Sequence, residues 1–197
     1  MTASLSAPAA AESAPEAIDL NQFLELPDTE PASEFINSTI IQKPMPQIEH
    51  SALQMDLGAA INAALKSRKV ARAFSELRCT FGDRSIVPDL VILAWDRIPH
   101  NINNRLVSRP ITEAPDWVIE ILSPKQESLS VIDKLLHCAE HGTQVGWLID
   151  PAQGAVLTIN RDCQIAVLRQ PGDRLPVPDF AADFQLTVGE LFDWLAV

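Results

Sequence analysis

Two apolar runs, each broken by a single carboxylate, constrain this chain more than any other feature. Residues 87–95 read VPDLVILAW and residues 117–122 read WVIEIL, with Asp89 and Glu120 as the lone acids. Nearly unbroken apolarity over strand length is expected of strands covered on both faces. An ionised carboxylate in such a setting is costly unless a cation or hydrogen bonds compensate it. Each acid therefore has two readings: a strand-end residue facing water or paired with an arginine, or a ligand for a metal ion.

The segments around these runs alternate between strand and helix patterns. Residues 34–42 read as a strand rich in β-branched side chains (Ile36, Thr39, Ile40, Ile41), closed by Pro44 and Pro46. Residues 48–69 read as a helix, with Leu53, Leu57, Ala60, Ile61, Ala64 and Leu65 at helical spacing. Its end is basic (Lys66, Arg68, Lys69), which suits a solvated helix terminus at least as well as a DNA contact. A strand over 70–80, a Gly-Asp turn and a strand over 85–95 follow, then a polar loop to residue 115. The strand at 116–122 stops at Ser123-Pro124, and a helix over 129–141 ends at Gly142. Strands at 145–150, 155–160 and 164–168 and a short helix at 188–195 complete a pattern that predicts an α/β fold, a mixed sheet flanked by helices.

Charge distribution matters more than its total. The formal net charge is −11, but residues 1–33 hold six acids and no base, and 171–197 hold five acids against Arg174. Between them, 14 Lys and Arg face 15 Asp and Glu, so the core is close to neutral and permits a nucleic-acid partner without predicting one. Residues 1–33, rich in Ala, Pro, Ser and Glu, read as a disordered acidic tail before a domain spanning 34–197. No apolar stretch approaches the roughly 20 residues that cross a bilayer, and the first residues lack a basic and apolar leader pattern. Cys79, Cys138 and Cys163 are far apart and odd in number, which suggests free thiols in a reducing compartment. The expected location is the cytoplasm, with no membrane partner.

A third group joins the two acids. Lys134 lies on the 129–141 helix, on a side shared with Val131 and Cys138 and at the boundary of its core-facing side. Two strand carboxylates and a lysine form a minimal set for metal-assisted phosphodiester hydrolysis. The acids hold Mg²⁺ or Mn²⁺, and the lysine orients or deprotonates the attacking water and offsets developing charge. Other chemistries find less support. Ser123 and Ser128 lack a GxSxG context, and no GxGxxG or P-loop is present. His137 and His141 have the interval of a zinc pair but lack an HExxH motif or cysteine partner.

VPDLVIL, PDWVIEILSP, Lys134 and HGTQVGWLIDP occur in an order that resembles the Uma-type family of restriction endonucleases, within the PD-(D/E)XK nuclease superfamily. The family pattern places a lysine 14 residues after the strand glutamate, then a helix-ending glycine and an aromatic strand ending in Asp-Pro. Glu120, Lys134, Gly142 and residues 146–151 match those positions, and the resemblance covers roughly 34–195. It implies a restriction-endonuclease-like core, with Asp89 and Glu120 as metal ligands. It also implies that Lys134 replaces the lysine usually found two residues after the glutamate, where this chain has Leu122. Lys125, in the loop after Ser-Pro, is the other nearby cation. Glu49 and Glu76 are candidates for an additional acid and His50 for a residue lining the cleft. A helix-start role for His50 and an ion pair with Arg72 or Arg78 for Glu76 explain them equally well. The chain departs from the pattern at Cys138 and Gly146, where the family usually has aromatic residues.

Two functions remain. One is a Mg²⁺-dependent DNA endonuclease, with a homodimer as one option. The other is a binding or regulatory module that keeps the fold without turnover.

Overall fold

The computed structural model describes residues 18–124 and 126–197. In chain order the elements are α1 (Leu20–Leu24), β1 (Ser33–Ile36), β2 (Thr39–Gln42), α2 (Ile48–Leu65), β3 (Ala71–Ser75), β4 (Cys79–Phe81) and β5 (Arg84–Ile86). They continue with β6 (Leu90–Ala94), β7 (Trp117–Ile121), α3 (Ser128–Glu140), β8 (Val145–Asp150), β9 (Ala155–Asn160), β10 (Ile165–Leu168) and α4 (Val188–Asp193). A six-stranded sheet runs β10-β9-β8-β7-β6-β3, and a four-stranded sheet runs β2-β1-β5-β4. Among the described strands, β7 and β8, joined through α3, pair in parallel, and the other strand pairs are antiparallel. The expected mixed α/β architecture is present.

Alternation along the central strands sorts side chains onto two helices. Trp117, Ile119 and Ile121 of β7 share one core with Leu53, Leu57, Ile61 and Leu65 of α2. Val118 shares the opposite core with Val131, Leu135 and Cys138 of α3. Burying each large aliphatic side chain contributes roughly 2 kcal/mol, so both helices are fixed to the sheet by several such contacts. Glu120 lies on the α3 face, because it is two residues from Val118.

Three of the strands expected from sequence are two strands each. The 34–42 run folds into the β1–β2 hairpin at Asn37-Ser38, both left-handed (φ 51° and 58°), a turn that an Asn-Ser pair signals more weakly than Asn-Gly. The 70–80 run breaks at Glu76 (φ 49°), and the 85–95 run breaks at Pro88, which cannot donate to a ladder. The breaks at Glu76 and Pro88 each move the chain from one sheet to the other, whereas β1 and β2 stay neighbours in the four-stranded sheet.

Within the expected tail, residues 18–33 include a short helix that contacts the body: Asp19 caps α1 with a capping box, and Phe23 is buried and stacks on Phe35 at 5.4 Å. Arg78 lies over the Phe23 ring at 5.4 Å. One aromatic side chain thus anchors a segment whose average composition is polar. Residues 1–17 lie outside the described residues. Among the described residues the three cysteines are free, and no helix is long and apolar enough to cross a membrane.

Candidate active site

The ladder between β6 and β7 places Leu90 opposite Ile119. One step further, Asp89 comes level with Glu120, and residues directly opposite in an antiparallel pair share a face. The Ile121 amide donates to Asp89 Oδ2 at 2.7 Å, so the strand pairing itself holds the carboxylate. Both acids line a cleft of about 370 Å³ whose wall also includes Lys43, His50 and residues 29–32. Asp89 is 1% exposed and Glu120 2%.

Two lysines and a histidine from three parts of the chain compensate these acids. Lys43, just after β2, donates to Asp89 Oδ1 at 2.6 Å and to the Val87 carbonyl at 2.8 Å. His50, in the first turn of α2, places Nε2 3.1 Å from Asp89 Oδ2. Lys134 reaches in from α3, 2.8 Å from Glu120 Oε1, and donates to Glu34 Oε1 and Oε2 at 2.9 and 3.0 Å. Glu34 Oε1 also accepts the Val87 amide at 2.7 Å. Lys134 is 3% exposed, so it lies within the buried side of α3 and not at its boundary.

The two strand carboxylates are electrostatically unlike. Burial would raise the Asp89 pKa, but the His50 hydrogen bond and the Lys43 charge overcome it and hold the group well below the usual carboxylate range. Burial pushes Glu120 up to about 7; the Asp89 charge adds to this, and the Lys134 charge offsets only part of it. Burial opposes the Lys134 charge, yet Glu120 and Glu34 together drive its pKa upward. Glu120 Oε1 is fully buried and receives no directed hydrogen bond: the Lys134 ammonium is at ion-pairing distance but poorly aligned. An unsatisfied buried carboxylate oxygen beside a second carboxylate is a donor set suited to a hard divalent cation. Among the described residues, no three His, Cys, Asp or Glu side chains gather as a metal cluster. A fitting ion is therefore one that accepts two carboxylates and keeps water or substrate oxygens, as Mg²⁺ does.

The family model described as "Uma2: Putative restriction endonuclease" matches residues 20–189. The chain belongs to the Uma2 family. It is also similar to a solved structure described as a "putative nuclease belonging to DUF820" from Anabaena variabilis ATCC 29413. The two are 49% identical with a TM-score of 0.87, over 90% of this chain and 99% of that one. No curated protein matches the chain.

In this Uma2 member the remaining candidates divide. His50 faces the cleft, and Glu76 sits exposed on its rim. Glu49 is exposed in the first turn of α2 and does not line the cleft, so the structure does not support it as the additional acid. His137 and His141 stack on each other and on Phe81, with His137 Nε2 bonded to the Phe81 carbonyl, which gives them a packing role. Lys125 lies outside the described residues. Sequence reasoning missed Glu34 and Lys43. Glu34 carried only a weak form of the Glu120 signal, a lone acid next to Phe35 and Ile36 in a run that also holds Asn, Ser, Thr and Gln. Lys43, between a strand and a proline, carried none.

Proposed function

We propose that this protein is a divalent-metal-dependent DNA endonuclease that hydrolyses phosphodiester bonds, with Asp89 and Glu120 holding Mg²⁺ or Mn²⁺ and Lys134 completing the site. The observation that carries this reading is the buried pair Asp89–Glu120 on adjacent strands, with an unsatisfied Glu120 oxygen and the Lys134 ammonium beside it. Membership of a family described as restriction endonucleases and similarity to a chain described as a nuclease support the reaction class.

A bound divalent ion supplies Lewis-acid stabilisation of the phosphate and a more acidic water. The protein's own groups do the rest. The His50 hydrogen bond and the Lys43 charge favour the ionised form of Asp89, and the Ile121 amide holds its carboxylate in place. Glu34 fixes the Lys134 ammonium by accepting from it with both oxygens. A lysine whose pKa is driven upward is a poor base, so Lys134 acts as a fixed positive charge that orients substrate oxygens and offsets developing charge. Of the two roles that sequence reasoning left to this lysine, the electrostatic one is the one proposed, supported by its pairing with Glu34 and Glu120.

The test is cleavage of supercoiled plasmid and single-stranded DNA with Mg²⁺ or Mn²⁺, using parent, Glu120→Gln and Lys134→Met proteins. Metal-dependent cutting by the parent and its loss in both variants is expected. A folded parent that cuts neither DNA with either metal overturns the reading and leaves the non-catalytic module.

A further inference from the structure

The Lys43 ammonium occupies an unusual place. It contacts Asp89 Oδ1 at 2.6 Å, its side chain is 11% exposed, and the Glu120 charge acts on it along with that of Asp89. It also forms part of the wall between two clefts. The first, of about 370 Å³, contains Asp89 and Glu120, and the second, of about 300 Å³, contains Glu34 and Lys134. Lys43, Pro44 and Gln126 line both. The two carboxylates and the lysine of one proposed reaction thus open onto different sides of one ammonium.

Taking the metal reading above as its basis, we propose that Lys43 stands in the divalent-ion position of the metal-free protein. Ion binding is then an exchange in which the ammonium leaves Asp89 Oδ1 and opens the wall between the clefts.

Charge balance favours exchange over simple addition. With Glu120 ionised, as a metal ligand must be, Glu34, Asp89 and Glu120 face Lys43 and Lys134 and leave one excess negative charge when His50 is neutral. Adding a dication with Lys43 in place leaves an excess positive charge in a buried site. Replacing the Lys43 ammonium with the dication brings the cluster to neutrality, the least costly state for desolvated charges. Geometry agrees, because an ammonium and a hard cation compete for the same carboxylate lone pairs. Lys43 is suited to leaving. Its backbone is held beside the start of β1 by a hydrogen bond from its amide to the Ala32 carbonyl at 2.9 Å, while its four-carbon stem has rotatable bonds through which the ammonium can move without the backbone. Once it leaves, the cleft of Lys134 and that of the acids become one groove, and a single phosphodiester can meet both.

The experiment is Mn²⁺ titration by calorimetry on parent, Lys43→Met, Lys43→Gln and Glu120→Gln proteins, each checked for folding by circular dichroism. Exchange predicts that both Lys43 variants bind Mn²⁺ roughly tenfold more tightly than the parent, because the competitor is gone. Equal or weaker binding by folded Lys43 variants overturns the exchange while leaving the metal site intact. Absence of Mn²⁺ binding in parent and Lys43 variants alike overturns the metal reading itself. A second measurement uses the parent only: reductive methylation read by mass spectrometry, with and without Mg²⁺. Lys43 labelling should rise several-fold with Mg²⁺ while Lys134 labelling stays low, and unchanged Lys43 labelling contradicts the exchange.

Discussion

The Lys134 ammonium bonds both carboxylate oxygens of Glu34, at 2.9 and 3.0 Å, across a sequence separation of one hundred residues. Neither side chain has significant contact with solvent, and Glu34 together with Glu120 compensates the burial of the Lys134 charge. The pair ties helix α3 to the β1–β2 hairpin and holds an ammonium beside Glu120. Removing one partner leaves an uncompensated charge in the core, which costs several kcal/mol in comparable settings.

Lys134→Met should therefore abolish metal-dependent cleavage and also lower stability, by about 3 kcal/mol. From the sequence alone, a lysine at the boundary of the helix's buried face implied loss of activity with the fold intact. Urea unfolding of Lys134→Met, Glu34→Leu and the double variant measures the coupling. The double variant should be more stable than the sum of the single losses predicts, and strict additivity would show that the pair is not coupled.

Asp89→Ala should destabilise the metal-free protein by about 2–3 kcal/mol, since it strands the Lys43 ammonium, His50 and the Ile121 amide. Relief of repulsion between the two acids is too small to offset this, because Asp89 is already compensated by cations. A thermal midpoint at or above that of the parent at neutral pH would contradict the assignment of these bonds.

Glu120 should give stability an unusual pH slope. Its folded pKa, about 7, lies above its ordinary value of 4.5, so the folded state takes up a proton there more readily than the unfolded chain. The resulting stabilisation is complete below pH 4.5 and is lost as pH rises through 7. Midpoints measured from pH 5 to 8 should fall in the parent and stay flatter in Glu120→Gln. Parallel curves for the two proteins would be inconsistent with a raised Glu120 pKa. Asp89 acts in the opposite direction and in a lower window: its depressed pKa stabilises above the ordinary value of 3.8, an effect lost on further acidification.

Phe23→Ala should cost about 3 kcal/mol, because the ring is buried against Phe35 and beneath Arg78. Deleting residues 1–33 should be at least as damaging, since it also removes Thr29, Glu30, Pro31 and Ala32 from the cleft wall. An unchanged midpoint in the deletion would support the view of this segment as a dispensable tail.

The local physics of the central strands was legible without a structure. Apolar runs of strand length placed β6 and β7, helical spacing placed α2 and α3, and Asp89 and Glu120 stood out because a carboxylate in such a run demands compensation. Breaks within runs were not legible. Asn37-Ser38, Glu76 and Pro88 each divide what periodicity alone joins, because a left-handed residue or a missing donor changes the ladder without changing the hydrophobic pattern. Compensation was legible only as a need. That Lys43, His50, Glu34 and Lys134 meet it depends on where the β1–β2 hairpin, the start of α2 and one face of α3 come together around the ends of two strands. Ion pairing over such separations leaves no periodic trace in a sequence, since its energy depends on distance and burial, and these exist only once the chain has folded.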